Sequence, residues 1–186
     1  KQQIQFIHRQ FGDIACVAES CCGNGRLLIA LANRCEQVWG YDIANSRVHF
    51  AQAWLTDLGI KNAAIFADNL FTFELGELPR ANLAVCITGA FGYFGALSPT
   101  DTETAARKIA ELVKPGGNLL LELYQHAEEV RRCVESGHNR IKIWRDLPPE
   151  DRFRFYLSDL SYDPATRILK HEKTFIGRSG EIDEGR

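Results

Sequence analysis

A chain of 186 residues, 45% of them hydrophobic, can bury one sizeable core, with or without an insertion. A net charge of −2 and an isoelectric point near 6.2 leave no basic excess, which disfavours nucleic acid as a partner. No apolar run is as long as a membrane span and no signal peptide opens the chain, so no membrane partner is expected.

The cysteines at 16, 21, 22, 35, 86 and 133 are irregularly spaced, with no C-x-x-C pair. They read as free thiols of a reducing, cytoplasmic protein, and no metal is expected. There is no methionine at all, so the natural start is expected to lie outside these residues.

Ile4, Ile7 and Phe11 recur at helical spacing and predict a lead-in helix. Residues 14–19 form an almost wholly apolar run, as expected of a strand buried on both faces, and end at Glu19. Cys21-Cys22-Gly23-Asn24-Gly25 follows as a tight turn, and Leu27, Leu28 and Leu31 mark the inner face of the next helix. Strand, glycine turn and helix start together predict a ligand cradle, because glycine lets a ligand approach the backbone and the helix start offers free N–H groups. The dinucleotide pattern G-x-G-x-x-G fails in either register, giving Cys21, Gly23, Arg26 or Gly23, Gly25, Leu28. A phosphate-binding P-loop fails too, since Gly25 is followed by Arg26-Leu27.

Residues 37–42 predict a second strand that ends at Asp42, where a carboxylate can accept both hydroxyls of a ribose. Ala44, Val48, Ala51, Leu55 and Leu58 make one helical stripe, stopped by Gly59. A third strand, 62–67, leads into Asp68-Asn69, and a fourth, 83–87, opens into Thr88 and a loop that interleaves glycines with Phe91, Tyr93 and Phe94. Thr100-Asp101-Thr102-Glu103 predicts a capping box and a helix with Ala105, Ile109 and Leu112 inward. Lys114-Pro115-Gly116-Gly117 then turns into a fifth strand, 118–124. Such alternation predicts an α/β fold: a doubly wound, mostly parallel Rossmann-like sheet with helices on both faces. Ligands of such sheets bind above the carboxyl ends of the strands, where Glu19, Asp42, Asp68 and Thr88 all fall.

Beyond Tyr124 the pattern changes. A short helix over 128–133 and an antiparallel ribbon of two or three strands over 140–177 are expected, with a turn at Tyr162-Asp163-Pro164. The division expected is thus 1–124 for the ligand-binding domain and 125–186 for a covering segment.

The acidic-x-G-x-G-x-G pattern, present as Glu19, Cys21, Gly23 and Gly25, resembles that of the class I S-adenosylmethionine-dependent methyltransferases. The Asp68 turn and the Lys-Pro-Gly-Gly turn add to the resemblance. It implies S-adenosylmethionine as cofactor and S-adenosylhomocysteine as product. Its cofactor residues would be Glu19, Cys21, Gly23, Gly25, Asp42, Ile43, Asp68, Asn69 and Thr88, and Phe91, Tyr93 and Phe94 would border the acceptor. Some small-molecule methyltransferases carry an antiparallel ribbon as a lid. The reaction implied is in-line transfer to an oxygen or nitrogen of an acceptor, expected to be a small molecule.

A base is needed only where the acceptor must lose a proton, and Glu122, Tyr124 and His126 are the candidates, with His126 the best chemical base. A protein or RNA acceptor, or a binding module without turnover, is the alternative, and a homodimer is admitted. Two departures stand out. Cys21 occupies a glycine position, where its thiol would either be tolerated as a small side chain or be partly ionised. The fold's usual closing helix and strands have no counterpart after Gly177.

Overall fold

In the computed structural model, strand β1 (Cys16–Ser20) is buried along its whole length. Its side chains divide between two apolar layers, Val17 in one and Cys16 and Ala18 in the other. That is the period-two alternation of a strand covered on both faces. Strand β2 (Gln37–Asp42) sends Val38 to the first layer and Trp39 and Tyr41 to the second. Strands β3 (Ala63–Ala67), β4 (Ala81–Cys86) and β5 (Val113–Leu121) complete a parallel sheet in the order β3-β2-β1-β4-β5. The chain leaves β1 toward β2 and leaves β4 toward β5, so the sheet's switch point lies between β1 and β4 and opens a crevice at their carboxyl ends. Residues 2–124 and 126–185 are described, which leaves Lys1, Gln125 and Arg186 of the expected domain boundaries outside the described residues.

Helices α1 (Gln2–Phe11), α2 (Arg26–Leu31) and α3 (Asn45–Asp57) supply Ile7, Leu28, Val48 and Leu55 to the first layer. The second layer departs from strict alternation, because residues 68–80 between β3 and β4 hold no helix. Leu70 and Phe73 fill the space instead, and the Phe73 ring stacks 4.1 Å from Tyr41 and 5.8 Å from Phe66. The glycine-aromatic stretch expected as a loop is helix α4 (Ala90–Leu97), with Gly89 left-handed at φ 74° just before it. Each interior glycine costs about 1 kcal/mol of helix propensity. Phe91 and Phe94, three apart on one face, pack on the second layer and offset that cost.

Helix α5 (Pro99–Ala110) starts earlier than the expected capping box: Ser98 Oγ accepts the Asp101 N–H at 3.0 Å, and Pro99 takes the first position, where its missing N–H is harmless. The Lys-Pro-Gly-Gly turn lies inside β5, as a bulge between the Ala81–Val113 and Leu83–Asn118 pairs, and the strand ends at Leu121, short of Tyr124.

Contacts divide the chain into Lys1–Tyr124 and Gln125–Arg186. The second unit holds helix α6 (Ala127–Glu135) and an antiparallel sheet of β6 (Arg140–Asp146), β7 (Phe153–Asp163), β8 (Ile168–Gly177) and β9 (Ile182–Gly185), in that order. The ribbon therefore has four strands, because Ile182–Gly185 pairs with β8 after a turn at Gly180. Helix α6 packs on β6 and β7, with the Cys133 thiol donating to the Leu160 carbonyl at 3.6 Å. Among the described residues no helix is long and apolar enough to cross a membrane.

Candidate functional site

The site is assembled where β1, β2 and β4 end. After Ser20 the chain takes left-handed turns at Cys21 (φ 55°), Gly23 (φ 55°) and Gly25 (φ 70°) before α2 begins. The Cys22 N–H donates to the Tyr41 carbonyl and the Gly25 N–H to the Cys22 carbonyl, both at 3.0 Å, which tie the turn to β2 and to itself. The two glycines serve different sides of it. Gly23 lines the cavity, whereas a Cβ on Gly25 would collide with Ile65 and stand 3.2 Å from Ala51, so Gly25 lets the turn seat on α3 and β3.

Asp42 organises the loop from the end of β2. Its Oδ2 accepts the Gly23 N–H at 2.8 Å and its Oδ1 accepts the Ala44 N–H at 2.9 Å. An ionised carboxylate has about four lone-pair positions, so each oxygen keeps capacity for one more donor. The Asp68 N–H donates to the Asp42 carbonyl at 3.1 Å, and the Asp68 carboxylate accepts the Asn69 N–H at 2.7 Å, which fixes the third strand end beside the second.

Two cavities meet here. One of about 580 Å³ is lined by residues including Glu19, Cys21, Gly23, Arg26, Arg47 and Thr88. The other, of about 310 Å³, is lined by residues including Ile43, Asp68, Asn69, Phe71 and Phe94. Cys21, Asp42, Ala90 and Tyr93 line both. The structure thus brings together Glu19, Cys21, Gly23, Asp42, Ile43, Asp68, Asn69 and Thr88 of the expected cofactor residues. Of the expected acceptor residues, Tyr93 and Phe94 line cavity wall, while Phe91 packs into the second layer and lines neither.

Tyr124 packs its ring over Gly89, where a Cβ would collide with it. His126 belongs to the second unit, just before α6, with its Nδ1 4.0 Å from Glu129. Arg26, Arg47 and Gly40 were not singled out by pattern. The first two are ordinary surface residues in sequence, and only the mid-strand position of Gly40 gives a signal of close backbone approach.

Glu19 is the most unusual group. It is 3% exposed, and its Oε2 has no hydrogen-bond partner among the described residues. Burial pushes its carboxyl well above the ordinary 4.5, reinforced by Cys86 and Asp42 and opposed by Arg26. Above pH 4.5 the folded state then keeps a proton that the unfolded chain has released, so stability falls as pH rises through that window. Glu19→Gln, which cannot ionise, should melt above the wild type by a margin that widens as pH rises above 4.5 in ligand-free thermal unfolding. A margin independent of pH would mean that Glu19 titrates normally.

The neighbouring Cys86 thiol and burial raise the Cys21 pKa. Of the two readings, this favours the small neutral side chain over the partly ionised thiol, and Cys21 takes up the left-handed conformation of the glycine it replaces (φ 55°). All six cysteines are free.

A methyltransferase-domain family profile matches residues 17–117. No curated protein matches the sequence. Among solved structures, the chain is similar to an S-adenosylmethionine-dependent methyltransferase from Clostridium acetobutylicum, with a TM-score of 0.76 and 13% identity over 98% of this chain and 69% of that one. It is also similar to a methyltransferase from Streptomyces caelestis (TM-score 0.74, 18% identity, 98% and 68% covered). A third is an amino pentose methyltransferase from Micromonospora echinaspora, solved with S-adenosylmethionine bound (TM-score 0.71, 20% identity, 99% and 71% covered).

Proposed function

The chain belongs to the methyltransferase-domain family, and we propose that it transfers a methyl group from S-adenosylmethionine to an oxygen or nitrogen of a small molecule. The observation that carries this reading is the buried, unpartnered Glu19 Oε2 on the wall of a cavity whose turn is held by Asp42. An orphaned carboxyl oxygen fits a ligand that brings its own donor, and the amino acid end of S-adenosylmethionine carries an ammonium, whose charge would favour release of the Glu19 proton on binding. Asp42 has the remaining acceptor capacity to hold two ribose hydroxyls. In this reading Asp68, Ile43 and the Asn69 backbone hold the adenine end in the second cavity, while Cys21, Gly23 and Thr88 hold the amino acid side, with Gly25 setting the turn.

When bound, the cofactor supplies a methyl group already activated on a sulfonium. The protein's share is alignment, worth on the order of 7–11 kcal/mol where reacting groups are well placed. Tyr93 and Phe94 on the cavity wall, with Phe91 behind them, are proposed to border the acceptor. Where the acceptor must lose a proton, Tyr124 Oη and the His126 imidazole are the proposed receivers. The second unit, 125–186, is proposed to cover the acceptor.

The small-molecule class is supported by the absence of a basic surplus and by two structurally similar proteins whose substrates are sugars: the amino pentose methyltransferase above and a sugar N-methyltransferase from Streptoalloteichus. Incubation with methyl-labelled S-adenosylmethionine and a panel of amino sugars, phenols and short peptides is expected to label an amino sugar or phenol. Labelling of peptide alone would overturn the small-molecule assignment, and cofactor binding with no labelled product from any member of the panel would favour a binding module.

A further inference from the structure

The first cavity has two arginines on its wall, and among the described residues only Arg26 is anchored by a hydrogen bond to a side chain from another element. Its Nη2 donates to Gln3 Oε1 at 3.1 Å, and Gln3 Nε2 donates to Glu122 Oε2 at 2.8 Å. A guanidinium only donates and an ionised carboxylate only accepts, so the Gln3 amide satisfies both neighbours in one orientation alone. The same Glu122 oxygen accepts the Thr88 N–H at 2.6 Å, which ties this relay to the left-handed turn (φ 59°) of another residue that lines the cavity. Glu122 thus fixes Gln3, and Gln3 fixes one edge of the Arg26 fork, which leaves further donors of the guanidinium unused.

Arg26 also lies close enough to Glu19 to act on its charge. One wall therefore carries an unpartnered carboxyl oxygen, which can accept, and a held guanidinium, which can donate, a combination that complements the ammonium and carboxylate of a free amino acid head. Arg47, the other cation, stands on the Gly23 side, where its Nη1 would lie 3.7 Å from a Cβ on that glycine.

Resting on the cofactor reading above, we infer that Arg26 receives the carboxylate of the cofactor's amino acid end, and that Gln3 and Glu122 are positioning residues that aim it. The relay makes helix α1, remote in sequence from the glycine turn, a determinant of recognition of that end alone.

Isothermal titration with two ligands tests this: S-adenosylhomocysteine, and 5′-methylthioadenosine, which shares the nucleoside and sulfur but lacks the amino acid head. Arg26→Met should weaken the first about tenfold and leave the second within about twofold, as loss of a charge-assisted contact implies. Gln3→Leu and Glu122→Leu should weaken S-adenosylhomocysteine about threefold with the same selectivity. Glu122→Gln, whose amide oxygen still accepts both N–H groups, should bind like the wild type. Equal losses for both ligands would show that the relay is merely structural. A selective loss in Arg47→Met but not in Arg26→Met would move the contact to the other arginine, and either result overturns the inference. Wild type that binds both ligands equally well would overturn it while leaving the cofactor reading standing, whereas wild type that binds neither would overturn both.

Discussion

Replacing Asp42 with alanine is expected to abolish detectable binding of S-adenosylhomocysteine, by a factor of at least about a hundred. The expectation follows from what the carboxylate already does. It accepts N–H groups on both sides of the strand end, from Gly23 at 2.8 Å and from Ala44 at 2.9 Å. Alanine would free the glycine turn and the start of α3 together, before any ribose contact is counted. Hydrogen bonds to a charged group contribute about 1.5–3 kcal/mol each, so the loss of two ligand contacts alone reaches about a hundredfold or more in affinity.

Asp42→Asn separates charge from shape and should fail nearly as badly. An amide presents one oxygen and one NH₂, and either orientation turns the NH₂ toward a backbone N–H that needs an acceptor. Titration calorimetry of the two variants, with far-ultraviolet circular dichroism to verify folding, decides the matter. A folded Asp42→Asn protein of wild-type affinity would remove Asp42 from the cofactor contacts proposed above and would leave it a turn residue.

The sequence displays Asp42 because it closes a strand that reads unambiguously, residues 37–42, and because a glycine turn precedes it. Glu19 and Asp68 are legible for the same reason: each ends an apolar run, and a parallel sheet gathers such ends on one edge. Arg26 and Gln3 are not legible. Their meeting depends on how α1 crosses the start of α2, a tertiary fact without a local signature.

The same limit explains the departures in the fold. Stretch 68–80 has no turn-by-turn helical pattern, and its Leu70 and Phe73 are recruited by the aromatic faces of Trp39, Tyr41 and Phe66, which they cover, rather than by their own neighbours. In α4 the glycines argue locally against a helix, but Phe91 and Phe94 gain more from a shared buried face than the glycines lose. Strand β9 is short and charged, so its strand character comes from the open edge of β8. The glycine turn shows the finer limit. Spacing marks both Gly23 and Gly25, but only the packing reveals that one faces the cavity and the other the core.

Gly40 carries this argument to the largest stability effect we expect. It lies inside β2, paired with Glu19 of β1, at a position where most strands would carry a β-branched residue. A Cβ there would stand 2.6 Å from the Glu19 carbonyl oxygen, 2.7 Å from Leu28 Cδ1 and 3.2 Å from Cys22 Cβ. The leucine methyl can rotate away, but the carbonyl is part of β1 and moves only with the strand. Gly40→Ala must therefore push apart the two strands that present Glu19 and Asp42.

Overpacking of this kind costs about 3 kcal/mol where backbone has to yield. For a protein of this size that corresponds to a drop in melting temperature of about 10 °C. The ligand-free protein should show the drop by thermal unfolding, and S-adenosylhomocysteine should recover less of it than in the wild type, because the displaced strands carry the binding carboxylates. A melting temperature within about 2 °C of wild type, the shift of well under 1 kcal/mol, would mean that β1 yields freely at Glu19. The close approach of the strands would then be a consequence of the glycine and not a requirement of the site.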